Sequence, residues 1–494
     1  MICVSIGRTR HKMMMMEHRA LAEQGAELVE LRLDYLARIP DLPRLLQDRP
    51  TQVILTCRRK EDRGRWRFDE DARQKLLRTA IVSEVDYVDL EDDVASQIPR
   101  FGKTKRIVSY HNFDETPNNL EERHIHMTQL DPDIIKIVTM ANSPADCIRM
   151  LKLVSRSEIP TVGFCMGEFG IMTRILCGKY GAPFTYATFD QERVMAPGQL
   201  PYAQMKDFYR YDQINEATQV FAVLGDPIGH SLSPMLHNRA FQHHGINAVY
   251  IPVRVPRDAF KESLDEMDWL DIRGYSVTIP HKSAARDYAD DYDESVAKIG
   301  AANTLYRTAD QLWHATNTDC RAAVDSLKLV LRDGESLTGK KAIVIGAGGA
   351  ARAIVHGLLE EGAFVTIANR TNFKAENLAQ EFDCQFIRWE HRGKDYHDLL
   401  VNCTPVGMYP NMNETPFPDN WLNEGMIVFD TVYNPENTLL IKQARERNCR
   451  TVSGLEMFAR QAAVQFEKFT YIEPDLEQFR STVRQSISAV NYES

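Results

Sequence analysis

Residues 342–359 read AIVIGAGGAARAIVHGLL, and this stretch decides the fold of the C-terminal half. An apolar, strand-like run leads into Gly346, Gly348 and Gly349, and a helical pattern follows. The glycines permit a tight turn and a close backbone approach, and the helix N-terminus favours a pyrophosphate. A second strand-like run, FVTIA at 364–368, follows at the spacing of a dinucleotide-binding unit. Ala351 takes the sixth place of the fingerprint, which tolerates it. After the second strand come Asn369, Arg370 and Thr371, where an NAD site usually puts an acid for the ribose hydroxyls. An acid repels a 2′-phosphate and an arginine attracts one, so the pattern favours NADP. The plainer reading of Arg370 is a solvated surface charge.

Upstream, four polar segments stand in apolar surroundings: VLGDPIGHSLSPMLHNRAF (223–241), GYSVTIPHK (274–282), GAANTL (300–305) and NTD (317–319). Ser231 and Ser233 are two residues apart, so in an extended segment both hydroxyls face one side, suited to gripping a carboxylate. A helix cap ahead of Pro234 is the alternative for Ser233. Lys282 and Asp319 suit a proton-transfer pair on a carbonyl or hydroxyl, or a plain ion pair.

The first 210 or so residues have a different rhythm. Eight strand-like runs appear, ICVSI (2–6), LVELRLD (28–34), QVILTC (52–57), YVDLE (87–91), RIVSYH (106–111), IIKIV (134–138), TVGFCM (161–166) and FTYATF (184–189). Helical patterns such as 12–24, 69–83 and 144–155 lie between several of them. Eight βα units predict a compact (β/α)₈ barrel. The polar, aromatic stretch 206–219 breaks the pattern and marks a domain boundary. The expected organisation is a barrel over 1–212, a two-lobed α/β unit with one lobe at 219–331 plus about 455–494, and a Rossmann-type domain at 335–454.

Lys136 sits inside Ile-Ile-Lys-Ile-Val. Side chains of a barrel strand alternate between a packed interior and the helix layer, and neither is water. The lysine therefore lies near the open end of its strand or is desolvated, and desolvation favours a nucleophilic amine. Snorkelling to the rim, or pairing with an acid, is the alternative. Glu30, Arg32, Arg58, Glu91 and His111 fall toward the C-terminal ends of their runs, the face where barrel active sites lie. A lysine, a histidine and a carboxylate converging there suit imine chemistry. The lysine condenses with a ketone, the iminium acidifies the neighbouring C–H, and the histidine takes that proton and returns one to a departing hydroxyl. Taken singly, His111 also reads as a satisfied strand-end histidine and Glu91 as a solvated acid.

Composition narrows the class. The 494 residues are 44% apolar and 26% charged, as in an ordinary soluble globular protein of two to four domains. The net charge of −10 and the lack of a basic run argue against a nucleic-acid surface. Nine cysteines without a CxxC pair read as free thiols in a reducing, cytoplasmic setting. No apolar run approaches the ~18 residues of a membrane span, and the N-terminus lacks the apolar core of a signal peptide. Met13–Met16 reads as the start of a helix. No ligand cluster has the spacing of a metal site.

ELRLD, TCRRKE, VDLE, SYHNF, IIKIV, MGEFGIMTR and APGQ occur in the order seen in type I 3-dehydroquinate dehydratases, which the first 210 residues resemble. The resemblance implies Lys136 as the Schiff-base lysine, His111 as the general acid–base and Glu91 as the group orienting it. It also implies substrate contacts from Glu30, Arg32, Arg58, Arg174 and Gln199. The planar fork of Arg174 suits a carboxylate. Where the family usually has a serine before APGQ, this chain has Met195, so the loop 190–201 lacks that hydroxyl.

Residues 219–485, with NCTPVGM (402–408), DTVYNP (430–435) and GLEMFARQA (454–462), resemble the shikimate dehydrogenases. That resemblance implies Lys282 and Asp319 as the catalytic pair. Ser231, Ser233, Thr278, Asn303 and Gln461 would bind substrate. Gly346, Gly348, Gly349, Asn369, Arg370 and Thr371 would bind NADP, with Tyr433 and Met457 near the nicotinamide. Ala315 and Ala322 stand where the family usually has glycine, and their methyls are expected to narrow the cleft. Together the halves imply a shikimate-pathway enzyme acting on 3-dehydroquinate, 3-dehydroshikimate and shikimate. Quinate or shikimate oxidation in the reverse direction, and a non-catalytic regulator built from the same domains, are the alternatives.

Overall fold

A computed structural model describes residues 1–229 and 231–490. The last four residues of the expected 455–494 segment lie outside the described residues, as does His230. By its contacts the chain parts into two units: Met1–Val220 with Asn247–Val255 and Glu262–Ile272, and Phe221–Ile246 with Pro256–Lys261 and the chain from Arg273 onward.

The first unit contains the eight expected strands: β1 (Ile2–Ile6), β2 (Leu28–Arg32), β3 (Gln52–Thr56), β4 (Tyr87–Glu91), β5 (Lys105–Asn112), β6 (Ile134–Met140), β7 (Thr161–Met166) and β8 (Thr185–Thr188). They pair in parallel in the order β7-β6-β5-β4-β3-β2-β1-β8, a nearly closed barrel. Period-two alternation sorts each strand into an outer and an inner face. Leu28, Ile54, Tyr87, Ile107, Ile134 and Phe184 share one apolar interior cluster. Two and four residues further along the same faces come Glu30 and Arg32, Thr56 and Arg58, Asp89 and Glu91, Ser109 and His111, and Lys136 and Val138. The barrel interior is therefore apolar at its floor and charged toward the C-terminal ends of its strands.

The stretch 206–219 is no bare linker. Tyr209 and Tyr211 are buried, as is Met205 just before the stretch, and the Tyr211 hydroxyl lies 3.3 Å from the Cys177 sulfur. These residues carry the first unit's packing beyond β8.

In the second unit, strands Gln219–Gly225, Ile272–Val277, Thr304–Arg307, Trp313–Thr316 and Asp291–Tyr292 lie side by side in that order. A separate parallel sheet holds Lys341–Ile345, Phe364–Ala368, Gln385–Phe386, Leu399–Asn402, Ile427–Asp430 and Arg450–Ser453. Numbered along the chain, its spatial order is 3-2-1-4-5-6, the doubly wound dinucleotide-binding arrangement with its crevice between strands 1 and 4.

Two sequence expectations are corrected here. Ser231–Ser233 is not extended, because Leu232 has φ −84° and ψ −6° and a helix begins at Ser233. The Ser231 hydroxyl instead accepts from the Ser233 amide at 3.3 Å, a local turn bond that helps start the helix. Ala322 is packed with Ile354, Val355 and Leu358 in an apolar core, so its methyl fills that core rather than narrowing a cleft. Ala315 is likewise fully enclosed, in the strand Trp313–Thr316.

Candidate active sites

The upper barrel encloses a cavity of about 210 Å³ lined by Glu30, Arg32, Arg58, His111, Lys136, Arg174 and Gln199, all of them expected from sequence. Lys136 is 4% exposed, which rules out snorkelling to solvent. Its Nζ donates to Asp89 Oδ2 at 3.0 Å and to Glu30 Oε1 at 3.4 Å. The same nitrogen stands 4.1 Å from the centroid of the Tyr186 ring. Glu30 is held in turn by the Ser5 hydroxyl at 2.6 Å and the Thr56 hydroxyl at 2.8 Å. Burial alone would raise the pKa of Glu30, but the charges of Lys136 and Arg32 outweigh it and leave the carboxyl below its ordinary range. Burial opposes Asp89 ionisation too, and the charges of Arg58 and then Lys136 reverse that effect strongly. Glu30 and Asp89 are thus held as carboxylates among the cations that face them inside the barrel.

Arg58 is the second cation of the network. It donates to Asp89 at 2.7 Å, to Glu91 at 2.9 Å and to the Ser109 hydroxyl at 3.1 Å. The other Glu91 oxygen accepts from Arg73 at 2.8 Å. Both Glu91 oxygens are therefore engaged by guanidinium groups. Glu91, His111 and Asp62 line a second cavity of about 370 Å³ beside the first, and His111 and Asp62 line both. Asp62, held by Arg59 at 2.5 Å, was not singled out in the sequence. Nor was Asp89, although its place two residues before Glu91 puts both on one strand face.

His111 sits under the opposite regime from the carboxylates. Burial, then the charges of Arg58 and Lys136, hold its pKa well below the ordinary imidazole value. Arg174 is 1% exposed and lies 4.3 Å over the Phe164 ring, and its Nε has no hydrogen-bond partner among the described residues. No carboxylate pairs with it among the described residues, and burial pulls its pKa down to about 10. An enclosed guanidinium facing a cavity without a counter-ion calls for an anion there.

The loop after β8 closes one side. Gly198 has φ +74°, and a Cβ there would fall 2.4 Å from the Gly167 carbonyl oxygen, so only glycine fits. The Gln199 side-chain oxygen accepts from the Met195 amide at 2.9 Å. The Met195 thioether lies against Gly7 and lines the cavity, where the expected serine hydroxyl is missing.

In the second unit, Lys282 opens the helix Lys282–Tyr288 and Asp319 lies in the first turn of the helix Thr318–Lys328. Their side chains meet at 2.5 Å. Asn317 caps the second helix by accepting from the Asp319 amide at 3.1 Å, which fixes the aspartate at a helix N-terminus. Asn303 is locked beside it, donating to the Thr318 hydroxyl at 2.9 Å and accepting from the Thr318 amide at 2.9 Å. The carbonyl of Asn303 accepts from Gln465, one turn beyond Gln461 on the helix Gly454–Thr470. Thr278 follows the strand Ile272–Val277 directly, and its amide donates to the Leu224 carbonyl at 2.9 Å.

The glycine turn faces this pair. A Cβ on Gly349 would fall 2.9 Å from Cδ of Lys282, so the turn and the lysine are neighbours. Gly346 has φ +118° and packs against the Cys403 carbonyl at the crevice between strands 1 and 4. Gly348 has open space where a Cβ would stand, and the helix that follows has no side-chain cap, which leaves its first amides for a phosphate. Asn369 folds back to the Thr371 carbonyl at 3.0 Å, while Arg370 is exposed and forms no ion pair among the described residues. Tyr433 stacks on Phe458 with ring centroids 4.3 Å apart, next to the buried Met457. The residues present fit a dinucleotide carrying a 2′-phosphate. No group of acidic, histidine or cysteine residues that could hold a metal ion occurs among the described residues.

Family models match the chain in four segments. Type I 3-dehydroquinase matches residues 2–216, the shikimate dehydrogenase substrate binding domain matches 223–305, shikimate/quinate 5-dehydrogenase matches 328–400, and the shikimate 5′-dehydrogenase C-terminal domain matches 454–484. A shikimate dehydrogenase (NADP(+)) of Shouchella clausii is 37% identical over 55% of this chain and 100% of its own length. The crystal structure of a Thermus thermophilus shikimate 5-dehydrogenase, in complex with NADP(H) and shikimate, superposes with a TM-score of 0.50 at 33% identity, covering 55% of this chain and 100% of that one. The chloroplastic bifunctional 3-dehydroquinate dehydratase/shikimate dehydrogenase of Arabidopsis thaliana is 38% identical over 95% of this chain and 82% of its own length. With both kinds of site present in one polypeptide and this match along nearly its whole length, the chain belongs to the bifunctional 3-dehydroquinate dehydratase/shikimate dehydrogenase family.

Proposed function

We propose that the barrel dehydrates 3-dehydroquinate through an imine on Lys136 and that the second unit reduces the resulting 3-dehydroshikimate to shikimate with NADPH. The observation that carries this reading is Lys136, buried in a cavity with a histidine held in its neutral form and an enclosed, unpaired Arg174. Arg174 takes the substrate carboxylate. The Lys136 amine adds to the ketone carbon, the carbonyl oxygen leaves as water, and a C=N⁺ bond results. Neutral His111 removes the proton from the adjacent carbon, and the electron pair flows toward the iminium nitrogen. The hydroxyl on the next carbon then departs with the proton that His111 returns, and hydrolysis of the imine frees the lysine. Asp89 and Glu30 hold the lysine nitrogen in place throughout, Arg32, Arg58 and Gln199 complete the substrate contacts, and Glu91 orients the imidazole from the neighbouring strand.

In the second unit, Ser231, Ser233, Thr278, Asn303 and Gln461 bind the substrate, and Lys282 with Asp319 delivers the proton to its carbonyl oxygen. Bound NADPH supplies the hydride. Gly346, Gly348 and Gly349 admit the pyrophosphate, Asn369, Arg370 and Thr371 take the 2′-phosphate end, and Tyr433 and Met457 border the nicotinamide. We assign the dehydratase to 1–212, the substrate lobe to 219–331 with the chain from about 455, and the nucleotide domain to 335–454. No helix among the described residues is long and apolar enough to cross a membrane, and all nine cysteines are free. The free thiols suit a reducing compartment, and we place the protein in the cytoplasm.

Lys136→Met abolishes dehydration and leaves reduction of supplied 3-dehydroshikimate near normal; loss of both activities in a folded protein that still binds NADPH contradicts two separate sites. Arg370→Ala raises KM for NADPH by about 10- to 100-fold, the worth of a charge-assisted contact, with little change for NADH in steady-state assays. A further test concerns His111. Its folded pKa lies below its unfolded value of about 6.5, so the native state refuses a proton that the unfolded chain accepts, and this group costs stability as the pH falls below about 6.5. The neutral base also persists, so kcat/KM for dehydration stays level from about pH 8 to below about 6.5, whereas a fall centred at about 6.5 or higher contradicts the assignment.

A further inference from the structure

Of the polar side chains in the dehydratase cavity that the chemistry above leaves unused, one stands against the reactive nitrogen. Tyr186, on β8, is 3% exposed and lines the cavity with Lys136, Glu30 and Phe164. Its ring belongs to the apolar interior cluster and packs against Phe164 and Phe184, with centroids 5.9 and 5.7 Å away. Its hydroxyl is buried and has no hydrogen-bond partner among the described residues. A phenol hydroxyl that pairs with nothing adds nothing to the interior network, so its chemistry does not account for the residue. The ring face does: Lys136 Nζ stands 4.1 Å from its centroid.

We propose that the Tyr186 ring is a catalytic element of the dehydratase, holding the positive charge of the Lys136 nitrogen on its π face more in the imine, which keeps one N–H for the carboxylates, than in the ammonium, which offers them three. The inference rests on the imine reading given above. Nζ is the atom that reacts, and it stays cationic when the ketone oxygen has left as water and the C=N⁺ bond has formed. It is neutral in the amine, in the carbinolamine between them, and again in the enamine formed when the electron pair flows to it. The ring quadrupole attracts the cationic states and is indifferent to the neutral ones, and the effect is strongest where water is excluded. The carboxylates cannot supply all of this stabilisation alone. Asp89 and Glu30 also answer to Arg58, Ser5, Thr56 and Ser109, so their charge is shared with other donors. The ring has no other cation on it among the described residues.

The test measures imine formation apart from turnover. Full-length protein is mixed with 3-dehydroquinate and borohydride, and the covalent adduct is counted by intact mass spectrometry across substrate concentrations. Tyr186→Phe keeps the ring and loses only the unpaired hydroxyl, so the adduct should form at nearly the wild-type substrate concentration. Tyr186→Leu should need about 10- to 30-fold more substrate for half-maximal trapping. Because leucine leaves a smaller side chain in a packed interior, a second series retains the shape: phenylalanine carrying one to five ring fluorines at position 186, each fluorine weakening the π face. Half-maximal trapping should shift stepwise with fluorination. Reduction of 3-dehydroshikimate by the same preparations reports on the second unit and should stay constant. If wild-type protein traps no adduct on Lys136, the imine reading itself fails. If wild-type protein traps it and the fluorinated series traps it equally well, the imine stands and the role of the ring is overturned. Loss of trapping in Tyr186→Phe would also overturn it, since the hydroxyl would then be the active group.

Discussion

A lysine ammonium inside a barrel has to be matched by negative charge, and the architecture of the first unit is arranged around that requirement. Taking an ammonium out of water costs several kcal/mol even after relaxation, and only close counter-charges with their own hydrogen bonds repay it. Lys136 meets Asp89 and Glu30, and those carboxylates in turn require Arg58, Ser5, Thr56 and Ser109. The partners come from β1 through β6, with Thr56 and Arg58 sharing the β3 run, and each stands on the inner face above an apolar floor residue. Parallel strands place these side chains at matching heights, with Arg58 following two residues after the end of β3. The ionised cluster is a consequence of strand alternation, and the reactive nitrogen is positioned by the rigid part of the fold.

Arg174 shows the complementary device. All the other cations in the cavity are neutralised by protein, and this one is not, although it is as enclosed as any. A site that satisfied every charge internally would have nothing left for an anionic substrate. The second unit solves the same problem with a helix terminus and open backbone. The crevice beside Gly346 and the open space at Gly348 admit a phosphate to uncapped amides, and Lys282 touches the same turn. Nucleotide cradle and proton donor are therefore joined through one contact, which brings the two ends of a hydride and proton transfer together.

Much of this was legible in the sequence because it depends on short-range periodicity. The eight strand runs, the glycine turn and the lysine inside an apolar strand are local signals, and the strands form within a residue or two of where the pattern puts them. What the sequence hid is relational. Asp89 is an ordinary acid in YVDLE until Lys136 and Arg58 arrive from other strands. Asp62 lies in a charged loop with no periodicity to mark it. Tyr186 looks like a core aromatic, which it also is. Ser231 and Ser233 suggested an extended grip, but the pull of the following helix reaches back to Leu232 and folds the pair into a turn. Ala322 looked like an intrusion into a cleft, and only the packing of two helices shows that its methyl fills a core.

If the two sites in this chain perform consecutive steps, one polypeptide should carry a single substrate through both. The most direct measurement supplies full-length protein with 3-dehydroquinate and NADPH and follows both nicotinamide absorbance and products by chromatography. Shikimate should form with one NADPH consumed per molecule, after a lag in which 3-dehydroshikimate rises and falls. Disappearance of 3-dehydroquinate without NADPH consumption, or no reaction until 3-dehydroshikimate is added, would contradict it.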